Sequence, residues 1–209
     1  MPANSPNGPP VVKEYGVFLN IPYDRAFEPL YLAYIAGLSA FRLAPRARLQ
    51  IPGGERRLDR ILDLIRECRY SFHDLSRVEL NLKRPATPRF NMPFELGLAV
   101  AWQRFGEPAH TWCVFESRGW RAGKSLSDLS GTDVYVHGGT PAGIFHELCN
   151  ALVLAHHQPS VAQMATIYRK LRRGLPSLMK NAGAKSAFEA RVFADLIVVA
   201  KGLAGQPAG

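Results

Sequence analysis

Short apolar runs alternate with longer stretches of helical spacing along most of the chain. Residues Tyr15 to Ile21 (YGVFLNI) form a short apolar run that predicts a strand. Leu30, Tyr31, Tyr34, Ile35, Leu38 and Phe41 then recur at helical spacing, which predicts a helix over Glu28 to Leu43. Arg48 to Ile51 reads as a weak second strand ending in Pro52-Gly53-Gly54. Leu58, Ile61, Leu62, Leu64 and Ile65 mark an amphipathic helix with Arg and Asp on its other face. Tyr70 to Leu75 predicts a third strand, and a fifteen-residue loop is expected after Ser76. Met92 to Phe105 predicts a mostly apolar helix, Thr111 to Glu116 a fourth strand and Val134 to His137 a fifth. Thr140 to His156 predicts the next helix, with Thr140 as N-cap and Pro141 at its first position.

Strict alternation of strand and helix argues for a parallel sheet with helices on both faces. The expected fold is therefore α/β: a five-stranded parallel, flavodoxin-like or Rossmann-like three-layer sandwich. Beyond Pro159 the pattern becomes all helical. Val161 to Leu171 and Lys185 to Leu203 read as two helices separated by a break at Gly174-Leu175-Pro176. The second carries Phe188, Val192, Phe193, Leu196 and Val199 along one face, which would pack on the α/β body or on a second copy of the chain. The expected organisation is a flexible Pro/Asn/Gly-rich leader over 1–12, an α/β domain over 13–156 and a C-terminal helical extension over 159–209.

Composition adds limits. With 209 residues, 47% of them hydrophobic, the chain can bury one sizeable core. No apolar run is long enough for a membrane span, and the first ten residues lack the apolar stretch of a signal peptide. Cys68, Cys113 and Cys149 are far apart, odd in number and set among apolar neighbours. They read as reduced core residues, not metal ligands or disulfides, and point to a cytoplasmic protein. The net charge of +9 is uneven: residues 159–209 hold eight Lys/Arg against Glu189 and Asp195. A basic tail attracts nucleic acid, a membrane surface or an acidic partner, or forms a solvated helix face. No aromatic-interleaved basic stripe or groove-reading motif points to specific nucleic-acid recognition.

The candidate chemistry lies at strand ends. The first strand ends at Asn20, followed by Tyr23 and Asp24. The third ends at His73, Asp74 and Ser76, and the helix after the long loop opens with Asn91 and Glu95. All fall on the carboxyl edge of the expected sheet, where open α/β sheets bind their ligands. Neither GxGxxG nor GxxxxGK[ST] is present. Glu95 sits inside PFELGLA, where its neighbours should face the sheet. An acid that close to the sheet is partly buried and must be compensated, or its pKa rises. The bland alternatives are a first-turn acid complementing the helix dipole, Asn91 as its cap, and Asp74 and Asp24 as turn residues.

The pattern of a strand, then HDLS, a loop and NMPFELGLA resembles the nucleoside 2-deoxyribosyltransferase-like and TIR-like group over roughly residues 13–156, with SDLSGTDVYVH (127–137) resembling the approach to its last strand. The resemblance implies a nucleotide N-glycosidic-bond enzyme, either an NAD glycohydrolase-like or a base-transfer enzyme. Glu95 would act at the anomeric carbon, as a nucleophile or as a stabiliser of an oxocarbenium-like transition state. Asn20, Tyr23, Asp24, His73, Asp74, Ser76 and Asn91 would bind the substrate. Tyr23, Phe27 or Phe90 would stack on the base, and Arg25, Arg77 or Arg89 would hold a phosphate. No cofactor is implied, NAD entering as substrate. The alternative is a non-catalytic nucleotide sensor or a TIR-like interaction module. Either would self-associate through the C-terminal helices.

Overall fold

The computed structural model describes residues 15–50, 56–78, 80–81, 87–88, 90–106, 110–119, 123–124 and 126–205. The expected leader and the Pro52-Gly53-Gly54 turn lie outside them. In chain order the elements are β1 (Gly16–Asn20), α1 (Glu28–Ala40), β2 (Ala44–Arg46), α2 (Arg57–Glu67), β3 (Tyr70–Asp74), β4 (Leu80–Asn81), β5 (Thr87–Pro88), α3 (Asn91–Phe105), β6 (Thr111–Glu116), β7 (Val134–Val136), α4 (Pro141–Ala151), α5 (Val161–Ala182) and α6 (Ala190–Ala204).

Five strands form an all-parallel sheet in the order β2-β1-β3-β6-β7, the flavodoxin-like arrangement. The chain steps outward from β1 to β2 and then crosses back to β3, so the strand order reverses between β1 and β3. Alternation along each strand divides the core. Val17, Leu19, Phe72 and Phe115 face the layer holding α1, α4, α5 and α6, whereas Phe18 packs with Ile61, Leu64 and Ile65 of α2 and with Ala99 of α3. Helix α1 is buried nearly all round, because it lies between the sheet and the C-terminal helices.

Several boundaries differ from the sequence reading. The second strand is Ala44–Arg46, and Arg48–Gln50 is a 3-10 turn beyond it. Apolar content misplaces this strand, because it contains a proline. Pro45 is tolerated since β2 is an edge strand, where a missing N–H costs no central ladder bond. The long loop carries a small antiparallel pair, Leu80 opposite Pro88 and Asn81 opposite Thr87. Thr140 caps α4 as expected, accepting from the Gly143 amide at 3.0 Å, but the helix ends at Ala151.

The largest correction concerns the C-terminal segment. There is no break at Gly174-Leu175-Pro176: α5 runs unbroken from Val161 to Ala182 and stops at Gly183, whose φ of 62° is a left-handed C-cap. Met164, Ile167, Tyr168, Leu171 and Leu175 of α5 are buried in the main core, and that packing holds the helix through Pro176. Val192, Phe193 and Leu196 of α6 enter the same core. The apolar faces of both helices are thus spent on the α/β body. No helix among the described residues is long and apolar enough to cross a membrane.

Candidate functional site

The end of β1 and the end of β3 meet in register, Asn20 beside His73. This is where the strand order reverses, and connections leave in opposite directions to open a crevice at the carboxyl edge. From Asn20, Nδ2 donates to the Met92 carbonyl in the first turn of α3 at 3.1 Å. That bond seats the helix over the crevice. One turn on, Glu95 falls on the buried face of α3 with Leu96 and Ala99.

Glu95 is only 3% exposed, and its Oε2 has no hydrogen-bond partner among the described residues. Burial pushes its carboxyl up to about 7, the positive charge of Arg48 partly opposing the rise. Arg48 stands in the turn after β2, its guanidinium 4.8 Å from the centre of the Tyr23 ring. Burial also raises the Tyr23 phenol, with Arg48 lowering it and Glu95 raising it. Arg48, Tyr23 and Glu95 therefore share one electrostatic neighbourhood, drawn from the ends of β2 and β1 and from α3.

The other expected site residues divide sharply. His73 and Asp74 are consecutive in β3 and so point to opposite faces of the sheet. They do not act as a pair. His73 faces the α2/α3 layer, edge-on to Phe18 at 6.2 Å, and is completely buried. Burial lowers its imidazole to about 3, helped by the nearby His110.

Asp74 faces the α1 layer, and its oxygens are occupied from within the protein. Oδ1 accepts the Ser76 amide at 3.0 Å, and Oδ2 accepts Tyr34 O–H at 2.9 Å and lies 3.1 Å from His137 Nε2. Ser76 Oγ is 3.3 Å from that same Nε2, and His137 Nδ1 accepts the Gly139 amide at 3.1 Å. Asp74, His137 and Ser76 have the composition of a nucleophilic triad but not its wiring. In a triad the acid and the hydroxyl address opposite ring nitrogens. Here both meet Nε2, and Nδ1 is held as an acceptor. The cluster ties β3 to β7 and α1.

Asp24 is exposed. Its Oδ1 caps the following 3-10 turn through the Phe27 amide at 3.1 Å, and its Oδ2 is 3.6 Å from Arg77. The Tyr23 hydroxyl donates to the Leu19 carbonyl at 3.0 Å, and its ring meets Tyr31 and Phe188. Asn91 is exposed as the first residue of α3, and Phe90, not Asn91, occupies the N-cap position, with no side-chain cap. Phe27 is buried in the core, so it is no stacking platform; Phe90 is 66% exposed. Arg89 lies outside the described residues.

Sequence reasoning missed Arg48 and His137. His137 follows β7 at the same edge as Asn20 and Asp74, so the strand-end rule applied to the last strand finds it. Arg48 was hidden by the misplaced second strand. Once β2 ends at Arg46, Arg48 falls on the carboxyl edge too. The chain matches no protein-family model and no curated protein.

Proposed function

We propose that this chain acts on the N-glycosidic bond of a nucleotide or nucleoside, by hydrolysis or base transfer, with Glu95 as the carboxyl that meets the sugar. The observation that carries this reading is the buried, unpartnered Oε2 of Glu95 at the β1/β3 reversal. Burying a carboxyl without a partner is unfavourable, and such groups cluster where chemistry needs them. Cleaving a ribosyl–base bond builds positive charge on the ring. A carboxyl raised to about 7 ionises readily when that charge appears, so its stabilisation is concentrated in the transition state.

The likeness of HDLS and NMPFELGLA to the deoxyribosyltransferase-like and TIR-like group supports the same assignment. NAD suits it as substrate, because its nicotinamide leaves without needing a proton. Asn20, bonded to the α3 turn that precedes Glu95, would address the ribose, Phe90 offers a base an exposed ring, and Arg48 offers a phosphate its cation. Three unpaired cysteines fit a cytoplasmic setting. Self-association, in this reading, uses the outer faces of the C-terminal helices, where Val198 is 70% exposed.

The test is base release, followed by chromatography, from NAD and from a panel of nucleosides and nucleotides. Wild type should release a base and Glu95→Gln should not, while both keep the same fold by circular dichroism. Ligand-dependent thermal stabilisation without product would replace the enzyme with a nucleotide sensor. Neither release nor stabilisation would remove the nucleotide from the reading.

A further inference from the structure

A chain of four buried side chains crosses the sheet on its α2/α3 face. At the amino edge, His110 Nδ1 is 2.9 Å from the Cys68 carbonyl, and His110 Nε2 is 2.8 Å from Ser71 Oγ. Ser71 Oγ is 2.9 Å from His73 Nε2, and His73 Nδ1 is 3.0 Å from Asn20 Nδ2. Asn20 Nδ2 then reaches the Met92 carbonyl. Asn20, Ser71, His73 and His110 are all at most 4% exposed. Ser71 and His73 share a face because they are two apart in β3, and Asn20 is the register partner of His73.

Both ends of this chain are carbonyls, which only accept. That fixes every proton. The Cys68 carbonyl requires His110 to carry its hydrogen on Nδ1, which leaves Nε2 as an acceptor in the neutral ring. Ser71 must then donate to His110 and accept from His73 Nε2–H. His73 Nδ1 is left as an acceptor and takes a hydrogen from Asn20. From the other end, the Met92 carbonyl independently demands a donor at the same Asn20 atom. The two ends agree, so the amide of Asn20 has one orientation. A proton added to His73 would set its Nδ1–H against the Asn20 amide, one added to His110 would leave the Ser71 hydroxyl hydrogen without its acceptor in the relay, and burial lowers the proton affinity of both rings.

We infer that the Ser71–His73–His110 relay is a positioning device that consumes both amide hydrogens of Asn20 and turns its carbonyl oxygen, an acceptor, toward the ligand crevice. The ligand group seated at the end of β1 is accordingly a hydrogen-bond donor, such as a sugar hydroxyl or an amide N–H. A phosphate or carboxylate oxygen is refused there and falls to Arg48. This rests on the proposed site for its ligand, but the relay itself does not depend on any activity.

The decisive measurement is a long-range ¹H–¹⁵N correlation spectrum of histidine-labelled protein at neutral pH. His73 should be the Nε2–H tautomer and His110 the Nδ1–H tautomer. The Asn20 side-chain amide protons should exchange slowly. The opposite tautomer at either ring, or an imidazolium at either, overturns the relay. Ser71→Ala should leave His73 a tautomer mixture and speed Asn20 amide exchange at least tenfold, while Ser71→Thr, which restores the hydroxyl, should not. Asn20→Asp should move His73 toward Nδ1–H and leave His110 pinned by the Cys68 carbonyl. A Ser71→Ala spectrum with both His73 and Asn20 unchanged rejects the positioning role. These readouts need no substrate, so failure of base release leaves them standing, and their failure leaves base release intact.

Discussion

His137 Nε2 lies 3.1 Å from Asp74 Oδ2 while the Gly139 amide holds the other ring nitrogen at 3.1 Å. With Nδ1 accepting, Nε2 is the donor, and Asp74 gathers Tyr34, His137 and the Ser76 amide into one buried knot. Asp74→Ala should cost about 3–5 kcal/mol, because it strands three donors, with His137→Ala costing about 1–3 kcal/mol. Urea denaturation measures both. Equal, small losses would mean that the knot contributes little, and would reopen Asp74 as a ligand contact.

Glu95 sets the pH dependence of the proposed reaction. With NAD, whose leaving group needs no proton, the working form is the carboxylate. Base release should rise with pH through about 7, where burial places the Glu95 carboxyl. A rate that falls through the same region would assign Glu95 as a general acid protonating a neutral base. A flat profile would separate the rate from Glu95 ionisation altogether.

Stability should record two opposing titrations. His73 is lowered from 6.5 to about 3, so its contribution is complete above 6.5 and is lost as pH falls toward 3. Glu95 is raised from 4.5 to about 7, so the native state keeps its proton longer, and its contribution is complete below 4.5 and lost as pH rises to 7. Between 4.5 and 6.5 the two slopes oppose, each by up to about 1.4 kcal/mol per pH unit. Glu95→Gln removes one of them. Relative to wild type it should gain up to about 3 kcal/mol between pH 4 and pH 8, read from denaturation midpoints. Parallel curves for the two proteins would contradict a buried Glu95 carboxyl whose Oε2 has no partner among the described residues.

Deleting residues 159–209 should abolish folding and not merely alter assembly. Leu171, Leu175, Val192, Phe193 and Leu196 sit in the core that α1 shares, and removing them bares nearly the whole outer face of that helix. Phe193→Ala alone should cost about 3–5 kcal/mol by cavity formation. A truncated chain with native-like near-UV circular dichroism and a cooperative thermal transition would show the α/β body to be independent.

The sequence by itself determined the elements whose signal is local. Apolar runs located β1, β3 and β6 nearly residue for residue, because a strand buried on both faces needs no partner to be recognised. Thr140 and Pro141 declared the start of α4 by capping chemistry. The alternation of these elements was enough to state a parallel α/β sheet, and the end of β1 was enough to place Asn20 on its carboxyl edge. Tertiary structure decided the rest. Only the sheet's alternation could separate His73 from Asp74, since neighbours in sequence leave a strand on opposite sides. Only packing against α1 could carry α5 through Gly174 and Pro176, whose local preference is to stop a helix. Only the placement of β2 at the edge could bring Arg48 to Tyr23. The direction of the relay behind Asn20 depends on two carbonyls, at Cys68 and Met92, that lie far apart in the chain, and backbone acceptors carry no sequence signal at all.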